Sequence, residues 1–386
     1  MTPEQKKFLF TLLSQPTAPF KEQHVVDQAT GFLDRYGISH FMDPAGNIVI
    51  GANSAAEYKR LLQKKNKEPL RLFMAHMDHP GFHGQRWLGD KRLQVKWHGG
   101  TPVKHVAGAQ VYLASDAGVF AEGKLARVKL VKAGWAMQSA EVVLARPLDK
   151  RPAARSVFGT FRFRKPVWQQ GKRIYTNAAD DLGGVYTILQ MAKRLSKKKT
   201  AAPFIGLLTR GEEVGFVGAI AHFELGWLAR RKRELICISL EASRTLPGAE
   251  IGKGPVVRLG DRRTVFNADA LKVLSDVAEK VLPGKHQKRV MDGGSCEATA
   301  ATIYGLTTIG ITLPLGNYHN QGLDGGPDCR GKAGPAPEFI NIDDLDAELV
   351  MCLGLMKNGL AWGEPWKKQQ IALKKNLLKY KRFLGG

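Results

Sequence analysis

The sequence predicts an α/β fold in which a mostly parallel, mixed sheet is sandwiched by helices and interrupted by a small inserted β domain. Three observations point there. Helical patterns alternate with short apolar runs over the first 90 residues; between about 91 and 165 the texture changes to β-prone runs separated by glycines; then the alternation resumes. Strands alternating with helices imply parallel strands covered on both faces. The expected organisation is one α/β domain made of 1–90 plus 166–386, with 91–165 as the insert.

In chain order, residues 3–14 and 22–35 carry helical periodicity, NIVI (47–50) reads as a strand, 54–65 as a helix and RLFMA (71–75) as a strand. The insert holds AQVYLA (109–114), ARVKLVK (126–132), AEVVLA (140–145) and FGTFRFRK (158–165), and no helix fits it well. After it come a helix from about 182 to 196, strand 203–208, helix 214–229, strand ELICISL (234–240) and later elements through ITLPL (311–315).

At 386 residues and 44% apolar content, the chain supports a sizeable core and a second, smaller domain. No stretch approaches the ~20 apolar residues of a membrane span, and MTPEQKKFLF lacks the features of a signal peptide, so a cytoplasmic location is expected. Cys237, Cys296, Cys329 and Cys352 have no CxxC spacing and read as reduced thiols. The net charge of +23 raises an acidic partner such as nucleic acid or another polyanion. The runs KKNK (64–67), KKK (197–199) and RRKR (230–233) each precede a strand, although a solvated surface explains each of them singly. Residues 364–384 place Trp366, Leu373, Leu377, Tyr380 and Leu384 along one helical face among lysines. That face is expected to dock on its own domain or a neighbouring subunit, with a membrane surface as the alternative.

Chemistry gathers at strand ends. Glu212 and Glu213 stand side by side in TRGEEVGFVGA (209–219), and adjacent carboxylates remain ionised together most easily beside a divalent cation. One of the pair can bind metal while the other takes a proton from water. His76 and Asp78 follow RLFMA; imidazole is a common zinc ligand and a neighbouring carboxylate can orient it, although an exposed turn also explains H-x-D. Asp180 and Asp181 open a helical pattern, where one aspartate reads as an N-cap and a carboxylate can also bridge two cations. Glu241 ends the strand ICISL, and His319 lies in the loop GNYHNQG (316–322). All five places fall at the C-terminal ends of predicted strands, the edge where open parallel sheets build their sites. Two histidines, a bridging carboxylate and two terminal carboxylates suit two divalent ions about 3.5 to 4 Å apart.

In this order, H-x-D, D-D, E-E, acidic residue and H, the chain resembles the co-catalytic zinc exopeptidases, most of all the M42 family of glutamyl aminopeptidases and endoglucanase-like proteins. The β insert between H-x-D and D-D favours M42 over M28. The resemblance implies a zinc-exopeptidase-like fold with a barrel-like insert. It also implies two divalent ions, zinc with cobalt or manganese as substitutes, held by His76, Asp180, Glu213, Glu241 and His319, with Asp180 bridging. Asp78 would orient His76, Glu212 would be the general base, and the Asp180–Asp181 bond would be cis. Leu182 and Gly183 stand where M42 members usually carry arginine, His79-Pro80-Gly81 replaces an acidic residue and small hydrophobes, and Glu241 replaces the commoner aspartate. His79 and His83 are candidates to line the substrate pocket. The expected activity is removal of N-terminal residues from peptides by a homo-oligomer. A carboxypeptidase or N-acyl amino acid deacylase on the same scaffold, and a non-catalytic polyanion- or protein-binding member, are the alternatives.

Overall fold

The structure is a computed structural model that describes residues 1–197 and 203–384. Eight strands form the main sheet in the order His40–Met42, Ile48–Ile50, Phe204–Thr209, Leu70–His76, Leu235–Arg244, Thr307–Leu315, Val256–Asp261 and Gln287–Met291. The middle four, from Phe204–Thr209 to Thr307–Leu315, are mutually parallel, so their C-terminal ends share one edge. Antiparallel pairing enters on both flanks, through Ile48–Ile50 and Val256–Asp261.

The apolar runs are continuous because both faces of the sheet are covered. Along Leu70–His76, Phe73 and Ala75 join the core beneath helix Ala179–Ser196, while Leu70, Leu72 and Met74 join the opposite core with Tyr58, Leu207 and Ala219. Successive strand residues point to opposite faces, so an uninterrupted apolar strand needs two cores.

The β-prone interval forms a closed antiparallel barrel. Its strands run Gly81–Trp87, Arg92–His98, Met137–Leu144, Gly118–Leu130, Gln110–Ser115 and Phe158–Gly159 around the circle. Phe82, Val95, Trp97, Leu113, Leu125 and Val142 fill its interior. At Gly159 the backbone passes so close to the Tyr112 carbonyl and the Phe82 ring that a Cβ would collide with both. The barrel takes in Gly81–Trp87, which the sequence reading assigned to the α/β portion: four polar or aromatic residues, His83, Gln85, Arg86 and Trp87, mask its strand character.

Other departures have local causes. FGTFRFRK yields only the short strand Phe158–Gly159, and the chain then enters a separate three-stranded sheet with Val167–Gln170, Arg173–Thr176 and Glu338–Asn341. The single helix expected over 214–229 splits into a 3₁₀ turn, Glu212–Val214, and helix Val217–Glu224. Gly211, Gly215 and Phe216 all have positive φ, at 62°, 109° and 61°, which breaks a right-handed helix there. Glu241 lies inside Leu235–Arg244 instead of after it, and Asp180 follows a strand of the small sheet instead of the main one.

The runs at 64–67 and 230–233 lie at the N-terminal edge of the parallel strands. Within them Arg233 is buried and donates to the Glu68 carbonyl at 2.8 and 3.1 Å. Residues 198–199 of the third run lie outside the described residues. No cysteine is paired among the described residues. No described helix is long and apolar enough to cross a membrane.

The C-terminal helix Lys367–Tyr380 does not dock on its own domain: among the described residues it contains no buried side chain. Leu373 and Leu377 are 68% and 51% exposed, and Ile371 and Leu378 project on the lysine-rich side, so the apolar surface is split between two faces. The attachment is at its start, where Trp366 Nε1 donates to Asp269 at 2.7 Å. Deleting residues 367–386 is therefore expected to move the thermal midpoint by no more than about 2 °C, as for surface changes within about 0.5 kcal/mol. Scanning calorimetry checks this, and a fall of several degrees would show a packing role.

Candidate metal centre

Strand register assembles the site. Thr209 pairs with His76, and Ser239 pairs with Met74, which brings Glu241 level with His76 on the same face. Glu212 and Glu213 follow Thr209 by a tight turn, and His319 follows Leu315 in the same way. Asp180 arrives from the start of helix Ala179–Ser196, where Asp180 and Asp181 are non-helical and joined by a cis peptide bond.

The Asp180 carboxylate faces two histidines. Its Oδ1 is 3.2 Å from His76 Nε2, and its Oδ2 is 3.7 Å from His319 Nε2. His319 Nε2 also lies 3.0 Å from Glu213 Oε2. The ligand-type atoms form two close triads that share Asp180: His76, Asp180 and Glu241, and Asp180, Glu213 and His319. A third grouping joins His76, Glu212 and Glu213, with Glu212 4.0 Å from the imidazole.

These atoms lack partners within the protein. His76 Nε2, Asp180 Oδ1, Glu213 Oε1 and Glu241 Oε2 are buried without a hydrogen bond, a condition that disfavours folding unless something else coordinates them. Burial pushes the carboxyl groups of Glu212, Glu213 and Glu241 well above their usual range, and their acidic neighbours add to this. Burial opposes protonation of His76, yet Asp180, Glu212 and Asp78 outweigh it and hold the imidazole well above its usual value. His319 is driven down to about 4 by burial. A divalent cation at each triad would reverse this pattern by stabilising every carboxylate as its anion. The donor set of imidazoles and carboxylates fits zinc.

The surrounding residues hold the donors in place. His76 Nδ1 is 3.1 Å from the Asp78 carbonyl, which selects the tautomer that presents Nε2. The Asp78 carboxylate is elsewhere: its oxygens accept from the main-chain N–H groups of Glu212 and Glu213 at 2.9 and 3.1 Å. Its closest approach to the His76 ring is 3.7 Å, too long for a hydrogen bond. Thus the expected orientation of His76 comes from the main chain, while the side chain fixes the glutamate turn.

Three positioning residues escaped the sequence reading. Glu338 accepts from Ala179 N at 2.8 Å and Asp180 N at 3.1 Å with one oxygen, and from His319 N at 2.8 Å with the other. It lies in GPAPEFI, which carries no motif, 158 residues from Asp180. Buried Arg258 donates to Ser243 and Thr312 and sets a positive charge near Glu241. At Gly100, just past a barrel strand, a Cβ would run into the His319 imidazole, so the barrel packs directly on the site. Asp181 accepts from Gly184 N and Ala242 N, both at 3.2 Å, tying the helix start to the strand that bears Glu241.

The two extra histidines do not form a pocket wall together. His79 is buried between the Asp180 carbonyl at 3.1 Å and Asn320 Oδ1 at 3.0 Å, and acts as a strut. His83 contacts the Pro19 carbonyl at 2.8 Å. Above the triads opens a cleft of about 730 Å³ lined by Glu212, Glu213, His319 and, from the barrel, Trp135. Replacing Glu338 by Gln puts an amide donor against main-chain N–H groups. Glu338→Gln is expected to weaken metal retention about 10- to 100-fold, as losses of supporting groups do, measured by competition with a chelator. Gly100→Ala should do the same by displacing His319.

The M42 glutamyl aminopeptidase family profile matches residues 60–322, well over half of the chain. Among solved structures, the TET1 peptidase of Pyrococcus horikoshii, which can assemble into a tetrahedron or a large octahedral shell, is similar with TM-score 0.71 and 19% identity, covering 92% of this chain and 99% of that one. An aminopeptidase from the archaeon Desulfurococcus kamchatkensis gives TM-score 0.72 at 17% identity, over 93% and 97% of the two chains. An M18-family aminopeptidase from Thermotoga maritima gives 0.64 at 15%, over 92% and 97%. These structural likenesses establish the shared fold, and with the profile match across the strand-end motifs from His76 to His319, the chain belongs to the M42 glutamyl aminopeptidase family and is a peptide hydrolase.

Proposed function

We propose that the protein is a two-metal aminopeptidase that removes N-terminal residues from peptides. The observation that carries this reading is the pair of triads sharing Asp180. His76 and Glu241 would hold one divalent ion and Glu213 and His319 the other, with Asp180 common to both triads. Zinc suits these donors, with cobalt or manganese as substitutes. When bound, the ions supply Lewis acidity toward the scissile carbonyl and increase the acidity of a water.

The protein's own groups supply the rest. Glu212 belongs to neither triad that contains Asp180, yet it borders the same cleft. Its carboxylate takes the proton from the attacking water and returns it to the leaving amine nitrogen, one proton in and one out. Asp78, by holding both main-chain N–H groups of the glutamate turn, keeps Glu212 aimed into the cleft and Glu213 toward His319. A substrate's cationic α-amine is drawn to this acid-rich floor. The names of the family and of the similar structures support the amino-terminal direction.

We also propose that residues of the barrel act as a separate inserted domain that covers the site through Gly100 and Trp135. Association into a homo-oligomer is proposed by analogy with the TET1 peptidase. Light scattering after size exclusion tests the latter.

Zinc- or cobalt-loaded protein should hydrolyse aminoacyl anilides, and stripping the metal should abolish turnover until it is restored. Glu212→Gln should retain both ions and lose about 10²- to 10⁴-fold in kcat, the usual contribution of a general base. Metal analysis beside steady-state kinetics reads both, and undiminished kcat in this variant would remove Glu212 from the role.

A further inference from the structure

The cleft carries three arginines that the hydrolytic chemistry does not use. Arg244 ends strand Leu235–Arg244, while Arg262 and Arg263 occupy the turn after Val256–Asp261; all three line the same cleft of about 730 Å³ as Glu212, Glu213 and His319. Some arginines elsewhere are paired with acids, such as Arg164 with Asp328 at 2.6 Å and Arg210 with Glu22 at 2.8 Å. Among the described residues, the guanidinium groups of Arg244, Arg262 and Arg263 have neither a carboxylate nor a hydrogen-bond partner.

Their placement is built. Asp261 Oδ1 accepts from Arg263 N at 2.8 Å and Thr264 N at 2.9 Å, and Arg262 N donates to the Gly294 carbonyl at 3.0 Å, so the turn is held by its main chain and the side chains are left exposed. At Gly293 a Cβ would stand 2.8 Å from Arg244 Nε, so glycine makes room for that side chain. One cavity therefore has an acidic floor and a basic rim.

A short peptide has the matching polarity, with a cationic amine at one end and a carboxylate at the other. We propose that Arg244, Arg262 and Arg263 bind the free C-terminal carboxylate of short peptide substrates, an inference that rests on the aminopeptidase reading above. Guanidinium forks match carboxylates in geometry as well as charge. Arg262 and Arg263 are exposed at the cleft instead of enclosed in a side-chain pocket, which favours the outgoing end of the peptide over an acidic side chain. An extended chain advances about 3.3 to 3.6 Å per residue, so only peptides of a few residues keep both ends inside such a cleft.

The test compares kcat/KM for a tripeptide with neutral side chains as its free acid and as its C-terminal amide. The metal-loaded wild type, Arg244→Gln and the double variant Arg262→Gln/Arg263→Gln are used. The wild type should favour the acid by about tenfold, chiefly through KM, and the advantage should fall to about twofold or less in the double variant, with added salt narrowing it in the wild type. Equal turnover of acid and amide by the wild type overturns the proposal, as does an unchanged ratio in the variants. A loss confined to peptides with an N-terminal Asp or Glu overturns it too, by making these arginines readers of an acidic side chain. Failure of the wild type to cleave either form with metal bound overturns the aminopeptidase reading and this proposal together.

Discussion

The constraint on which the site depends is the burial of many carboxylates in one place. Asp78, Asp180, Asp181, Glu212, Glu241 and Glu338 are buried, with Glu213 beside them. Such a concentration of like charge in a poorly solvated space is unfavourable unless each oxygen has a donor or a cation. The structure divides the oxygens accordingly. Both oxygens of Asp78 and of Glu338, and one of Asp181, are engaged by main-chain N–H groups, whereas Asp180, Glu213 and Glu241, like the second oxygen of Asp181, keep buried oxygens without a hydrogen bond. The first set makes a frame, and the second defines where positive charge is wanted.

The frame depends in turn on the sheet. Four parallel strands deliver their ends to one edge, so residues far apart in sequence are brought into register there. Helix Ala179–Ser196, packed across these strands, supplies Asp180 at the centre. The loop bearing His319 adds conformational strain: Asn317, His319 and Asn320 have φ of 54°, 52° and 57°. Each such residue costs about 1–3 kcal/mol. Glu338 and the Asn317 side chain, which donates to Gly325 and Pro337, hold this loop in its arrangement.

Much of this was legible beforehand. The alternation of helices with apolar strands revealed the α/β class because two-sided burial demands continuous apolar strands. His76, Asp180, Glu213, Glu241 and His319 stood out because residues of ligating type recur at or near the ends of the strands the sequence predicts, although Glu241 lies inside its strand and Asp180 follows a strand of the small sheet. Their sorting into two triads was not legible from spacing alone, since it depends on which carboxylate oxygen faces which imidazole. Glu338 and Gly100 were invisible for a related reason: one works through main-chain N–H groups distant in sequence, and the other through the side chain it lacks.

By itself, the sequence determined the fold class, the interruption by β structure and the residue types available for metal chemistry, because periodicity and side-chain identity are local properties. Tertiary structure alone decided that the Asp78 carboxylate serves the glutamate turn while its carbonyl serves His76, that His79 is a strut, and that the basic C-terminal helix leaves its own domain uncovered. It also set three arginines around the cleft above an acidic floor. These outcomes depend on distances and directions between elements, which packing and strand register impose and no local pattern encodes.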